Sequence, residues 1–201
     1  MTSPSVASGP PKGARLSANQ ADRRRRVIAA AVELASEGGY DLVQMRDVAA
    51  RAGVALGTIY RYFESKDQLL AAALADWTGE LERGLEERPA VGDGAEARVV
   101  DVIRRASRPI ERNQRLSSAL VTAVAGPDQG THTYQAEIHE ILMRILEKAL
   151  FDVEEERREA VVRILCNVWF AALIGWVHGW RAVTSVRDEL EFAGRFLLAG
   201  G

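Results

Sequence analysis

Residues 45–66 read Met-Arg-Asp-Val-Ala-Ala-Arg-Ala-Gly-Val-Ala-Leu-Gly-Thr-Ile-Tyr-Arg-Tyr-Phe-Glu-Ser-Lys. Their spacing is that of two short helices joined by a tight turn. Val48, Ala49, Val54 and Ile59 are the apolar positions that lock one helix on the other. Ala49 has to be small, because the second helix crosses over it. Gly53 stands where the chain reverses, a place for a residue at ease with positive φ. The second helix then carries Thr58, Tyr60, Arg61 and Tyr62 on or near its open side. Hydroxyls, a guanidinium and aromatic rings on a protruding helix suit DNA phosphates and base edges. This is the pattern of a helix-turn-helix. The plainer alternative is a helical hairpin inside an all-α enzyme.

The rest of the chain is compatible with such a head on a larger body. It has 201 residues, 47% apolar and 27% charged, an ordinary balance for a globular protein. The net charge of −2 argues against a generic polyanion binder, but the charge is unevenly spread. Residues 1–66 hold ten Lys/Arg against six Asp/Glu, and residues 67–201 hold sixteen against twenty-two. A basic head on an acidic body suits one end that meets DNA and another that stays off it. The single cysteine, Cys166, lies in an apolar stretch and forms no internal disulfide, so it reads as a small buried hydrophobe. The N-terminus lacks the apolar core of a signal peptide. The longest apolar run, Val168 to Val177, is short of the ~20 residues that span a bilayer. A cytoplasmic protein is expected, without membrane contact.

Periodicity divides the chain into three parts. Residues 1–18, rich in Ser, Pro, Gly and Ala, read as a disordered tail, a solvated segment with no function in the plainer reading and, in the other, an arm whose Lys12 and Arg15 reach a minor groove. Residues 19–66 form the DNA-binding helix-turn-helix domain. Its first helix, 19–36, has Val27, Ile28, Ala31, Leu34 and Ala35 on one face, a basic run from Arg23 to Arg26, and Gly38-Gly39 as its stop. At most two of those arginines share one surface. The short helices follow at 44–51 and 55–62, with Gln44 a poor cap for the first. Residues 67–201 form the body, with helices expected at 65–87, 95–111, 114–125, 134–151, 154–181 and 185–199, and a loop from Pro127 to Thr131. The fold class is all-α. Helix 154–181 is apolar nearly all round from Val161 and must be buried on more than one side. Ala171, Gly175 and Gly179 form a stripe of small residues against a bulky face of Leu165, Trp169, Ala172, Trp176 and Trp180. The simplest account is that one face meets the protein's own core and the other a second subunit; the plainer alternative is a single-subunit core with no dimer.

The run Gly57-Thr58-Ile59-Tyr60-Arg61-Tyr62-Phe63 followed by Ser65-Lys66 resembles the DNA-binding region of TetR-family transcriptional regulators. Gly38-Gly39-Tyr40, Val43-Gln44-Met45-Arg46, Glu111-Arg112-Asn113 and Asn167-Val168-Trp169 with Trp176 narrow the resemblance to the KstR-type repressors of sterol catabolism. The likeness implies a dimeric repressor on a palindromic double-stranded DNA operator, contacted by Arg46, Leu56, Gly57, Thr58, Tyr60, Arg61, Tyr62 and Lys66. Gln44 departs from the Thr or Ser usual in the family. Ala171, Gly175, Gly179 and Phe196 are the expected dimer interface, in a four-helix bundle built from two helices of each subunit. The family also implies a ligand cavity. Its candidate lining is Trp77, Leu81, Leu120, Met143, Leu146, Trp169, Phe170 and Leu173, a set suited to a large apolar effector. A sterol-derived acid or its coenzyme A thioester is the expected effector, with a long-chain acyl-coenzyme A next. Arg104, Arg105, Arg108 or Arg112 would meet the nucleotide.

Catalysis is not expected. His139-Glu140 starts like a zinc-protease motif, but Met143 stands where a second histidine is required. No cysteine or carboxylate completes a metal site with His132 and His139, and no phosphate-binding or nucleophile-elbow motif occurs. No cofactor is implied. Two other readings stay open: a regulator of efflux or other genes answering to a different small molecule, and a helical lipid-binding module that no longer regulates.

Overall fold

The structure is a computed structural model and describes residues 18–199. The expected tail, with Lys12 and Arg15, lies outside the described residues apart from Ala18, which already belongs to the first helix. Among the described residues there are nine α-helices, two short 3-10 turns and no strand. They are α1 (Ala18–Gly38), α2 (Met45–Ala52), α3 (Leu56–Tyr60), α4 (Lys66–Glu87), α5 (Ala95–Arg112), α6 (Gln114–Ala125), α7 (His132–Ala149), α8 (Glu155–Val177) and α9 (Val183–Leu198). The 3-10 turns are Tyr40–Leu42 and Gln129–Thr131.

Two apolar clusters hold the molecule together. The first gathers Val27, Ala31, Val48, Ile59 and Phe63 of the head around Leu69, Leu70 and Ala73 of α4 and Leu120 of α6. The head therefore rests on the first half of α4 and on α6. The second cluster fills the body, with Ile103, Ile145, Leu146, Leu165, Trp169 and Leu190 among its members. The α4 helix passes from one cluster to the other, because Leu81 and Leu85 pack against the second.

Helix ends differ from the sequence expectation by up to four residues, most informatively in α3, α7 and α8. Helix α3 stops at Tyr60 rather than residue 62. Helix α7 sits two residues earlier than expected. Helix α8 ends at Val177 rather than 181, because Gly179 adopts φ 74°. Gly179 N–H donates to Trp176 O at 2.9 Å and Trp180 N–H to Gly175 O at 2.9 Å, a Schellman closure. Gly179 is thus a helix stop and not the third member of a stripe along α8.

Candidate DNA-reading head and effector cavity

The turn between α2 and α3 forms as the spacing requires. Gly53 has φ 64° and ψ 41°, left-handed values that favour glycine. Val54 N–H closes the turn on Ala49 O at 3.0 Å. Ala49 is buried where α3 crosses, and Ile59 and Phe63 are fully buried beneath it. Gln44 caps α2 without a side-chain bond, since its Nε2 donates instead to Asp41 O at 3.0 Å.

The head's cations differ in what they already touch. Arg24 ion-pairs with Asp76 at 3.6 Å and lies over the Phe63 ring. Arg25 and Arg26 both turn to Asp22. Arg51 pairs with Glu37 at 2.5 Å. Lys66 sits 3.7 Å from the centre of the Tyr40 ring and donates to Tyr40 O at 3.3 Å. Among the described residues of the head, Arg23, Arg46 and Arg61 have no ion pair, and all three are exposed. Tyr60, next to Arg61 in the chain, is 50% exposed. Gly57 is exposed, and Leu56 and Thr58 are half-buried on the same short helix. Tyr62 turns the other way: it packs against the head's core, and its phenol oxygen is buried without a partner. Tyr62 is therefore anchored by its phenol end in the head's core, while its half-buried ring lies under the Arg61 guanidinium.

The body encloses a cavity of two lobes between α4, α5, α6, α7 and α8. Six residues wall both lobes: Leu74, Val121, Ile138, Leu142, Trp169 and Leu173. The inner lobe, about 90 Å³, is almost entirely carbon and includes Trp77, Leu81 and Pro109. The outer lobe, about 360 Å³, reaches Phe170 and Cys166 and has polar side chains at Gln135, His139 and Asn167. Two wall residues, Ser117 and Trp169, have a buried hydroxyl and indole N–H with no hydrogen-bond partner. Burial raises the Cys166 thiol to about 11, so it stays protonated.

Five of the eight candidate lining residues thus reach the cavity: Trp77, Leu81, Trp169, Phe170 and Leu173. Leu120, Met143 and Leu146 do not. Leu120 belongs to the core that joins the head to α6. Leu146 lies in the core of the body, with Met143 half-buried against it. Periodicity marked them as apolar but could not say which side of the wall they face. Arg105 borders the inner lobe, yet it pairs with Asp101 at 2.7 Å and donates to Arg88 O. Arg104 pairs with Glu191 at 2.9 Å. Arg108 and Arg112 are exposed and have no ion pair.

Sequence periodicity missed the segment that ties this cavity to the head. The Pro127–Thr131 stretch, expected as a plain loop, contains the second 3-10 turn. Asp128 caps it by accepting from Gly130 N–H at 2.7 Å and also accepts from the Ser65 hydroxyl. Those two donors hold the Asp128 carboxyl below the usual carboxylate range. The signal was an Asp-x-Gly turn directly ahead of a helix.

On the far side of the body, α8 and α9 leave an unpartnered apolar face. Ala171 is exposed on α8 beside Ile164 at 39% exposure, and Phe192 and Phe196 stack on α9 at 71% and 73%. Gly175 is not on that face. It is buried, and a Cβ there would lie 2.7 Å from Arg181 Nε of the same chain.

Comparison with known proteins agrees with this architecture. The model of the tetR family of bacterial regulatory proteins matches residues 27–73, and that of the tetracyclin repressor-like C-terminal domain matches residues 92–197. The chain belongs to the TetR family. The transcriptional repressor KstR of Rhodococcus jostii is 35% identical over 188 residues, covering 92% of this chain and 88% of that one. A TetR transcriptional regulator from Rhodococcus sp. RHA1 superposes with a TM-score of 0.78 at 28% identity, covering 90% of this chain and 98% of that one. The Thermus thermophilus repressor FadR, solved with lauroyl-CoA, shares the fold with a TM-score of 0.69 at 21% identity, over 88% of this chain and 94% of that one. The chain is thus a TetR-family transcriptional regulator related to the KstR repressors.

Proposed function

We propose that the protein is a homodimeric repressor that holds a near-palindromic operator and leaves it when an apolar effector fills the cavity between α4 and α8. One observation carries this reading. Helix α4 starts at Lys66, directly behind the recognition segment, and walls the cavity at Leu74, Trp77 and Leu81. An occupant that pushes on those side chains moves the helix on which the head rests. The effector has to bind the operator-free dimer better than the operator-bound one.

Dimerisation is supported by α8. Its mean hydropathy reaches 1.9 across an eighteen-residue window, of which 39% is buried in the protomer. By length and composition it is the one helix among the described residues that could cross a membrane. Its packing on α9, α7 and α6 sets it in the body of a helical regulator instead. A second copy covers the remaining apolar face at Ile164, Ala171, Phe192 and Phe196.

The carbon wall of the inner lobe favours an apolar effector, the larger outer lobe gives room for its bulk, and the unpartnered Ser117 and Trp169 donors favour one that bears an oxygen. The kinship with KstR makes a sterol-derived acid or its coenzyme A thioester the first choice. A long-chain acyl-coenzyme A is second, since the fold holds lauroyl-CoA in the Thermus protein. A cytoplasmic location follows from a role on DNA. The test is release of labelled operator by each class. A sterol or acyl thioester should release DNA from the wild type and far less from Leu142→Trp, which puts a larger side chain into the wall shared by both lobes. If such compounds leave the complex intact and a small polar cation dissolves it, the choice of effector is wrong while the regulator reading stands.

A further inference from the structure

Resting on the effector-cavity reading above, we infer that Gln135 is the residue through which the cavity senses a ligand's polar group, and that Thr131, Asp128 and Ser65 carry the signal to the head. Every link is a hydrogen bond. Gln135 lines the outer lobe. Its Nε2 donates to Val124 O at 2.6 Å and to Thr131 Oγ1 at 3.2 Å. The Thr131 hydroxyl, fully buried, donates to Asp128 O at 2.7 Å. The Asp128 carboxylate accepts from the Ser65 hydroxyl. Ser65 is the N-cap of α4, and its oxygen accepts from Gln68 N–H at 3.0 Å. Gln68 Oε1 accepts from Glu64 N–H at 2.6 Å. The chain runs from the cavity wall to the residues directly behind the recognition helix.

The weak point is at the cavity. Both hydrogens of the Gln135 amide are used, and the bond to Thr131 is the longer of the two. A carbonyl or hydroxyl oxygen on an otherwise apolar ligand, placed at this end of the outer lobe, competes for that hydrogen. A wholly hydrocarbon occupant does not. The ligand class is therefore an apolar molecule with an acceptor oxygen at the Gln135 end. Losing the Gln135 bond frees the Thr131 hydroxyl to rotate, and with it the anchor of the turn that Asp128 caps. The Asp128–Ser65 contact then loosens, and the N-terminal turn of α4 with it.

Amide hydrogen exchange on the full-length protein without ligand tests the relay directly. Gln135→Met and Thr131→Val each remove one link and keep the bulk. Both should speed exchange at Glu64 and Gln68 roughly five- to tenfold, the loss expected for one hydrogen bond, while amides in Val27–Leu34 stay unchanged. Changes confined to residues 124–135 in both variants would overturn the relay. If Thr131→Val fails to fold, Gln135→Met, at a half-buried position on the cavity wall, decides the matter alone. With lauroyl-coenzyme A as the probe, bound wild type should show the same acceleration at Glu64 and Gln68, and bound Gln135→Met no further change. Bound probe that leaves wild-type exchange at those amides unaltered also contradicts the relay. A probe that does not bind counts against the acyl-thioester effector alone, because the ligand-free comparison still decides the relay.

Discussion

Arg46 and Arg61, like Arg23 on α1, stand out from the other arginines of the head because no carboxylate holds them, and Arg61 only overlies the Tyr62 ring. Arg24, Arg25, Arg26 and Arg51 would have to give up a carboxylate to reach a phosphate. Arg46 and Arg61 would not, and Tyr60, next to Arg61 in the chain, is exposed. Arg46→Ala and Arg61→Ala should each weaken operator binding by ~1–3 kcal/mol with an unchanged melting temperature, as titration and calorimetry would show. Arg51→Ala should cost much less binding. The resemblance already singled out Arg46 and Arg61, but the carboxylates that hold Arg24, Arg25, Arg26 and Arg51 were not legible in the sequence. Nor was the inward turn of the Tyr62 phenol. Cys166 was legible as a buried hydrophobe, and its raised thiol pKa of about 11 has a measurable consequence. A thiol at that value is ionised about a hundredfold less at neutral pH than a free one, so iodoacetamide should label Cys166 only after unfolding. The raised value favours the protonated thiol in the fold. This leaves stability unaffected below the ordinary thiol pKa and lowers it as pH rises from there to about 11. Rapid labelling of the native protein at neutral pH would contradict this environment.

At the scale of elements, the periodicity of apolar residues found each helix to within a few positions, because each buries one face. Ends set by a single backbone conformation were harder to read. Gly179 looked like one more small residue at four-residue spacing, yet its positive φ ends α8. Gly175 looked like a contact for a second subunit, yet Arg181 folds over it. Placing Glu at 175 therefore disturbs the protomer itself and says nothing about dimers. Ala171→Glu and Phe196→Glu are the informative changes, since both side chains face outward. Each should give a folded monomer by light scattering with the helical content retained. A persistent dimer in both would remove the α8–α9 face from the interface. The bare cap of α2 was legible from Gln44 and is present in the structure. Gln44→Thr should supply the missing side-chain acceptor and stabilise the head by ~0.5–1 kcal/mol, read as a higher melting temperature. No gain, or a loss, would mean that the Gln44–Asp41 bond matters more than the cap.

At the scale of the whole molecule, the fold makes one body of two jobs. The head's core extends into α4 and α6, two of the helices that wall the cavity, so under the proposed function an occupant of the cavity and DNA at the head would act on a shared framework. The helix-turn-helix could be read from sequence because a crossing of two short helices restricts residue types sharply. The cavity could be read only in part, since an apolar residue on a core-facing helix fits either a wall or a packed interior. The Asp-x-Gly turn at Asp128 left a signal in the sequence, but its bond to Ser65 did not, because the two are distant along the chain. In a two-fold dimer the recognition helices have to enter successive major grooves about 34 Å apart, which requires a near-palindromic site. The most direct test is fluorescence anisotropy of the purified protein on a duplex that it has itself selected from random DNA. The expected result is a palindromic site bound by an even number of protomers, with affinity that falls steeply as salt rises and is lost in the Arg46→Ala, Tyr60→Ala double variant while that variant stays folded. Equal affinity of the double variant and the wild type would contradict the placement of the DNA-reading surface on α2 and α3.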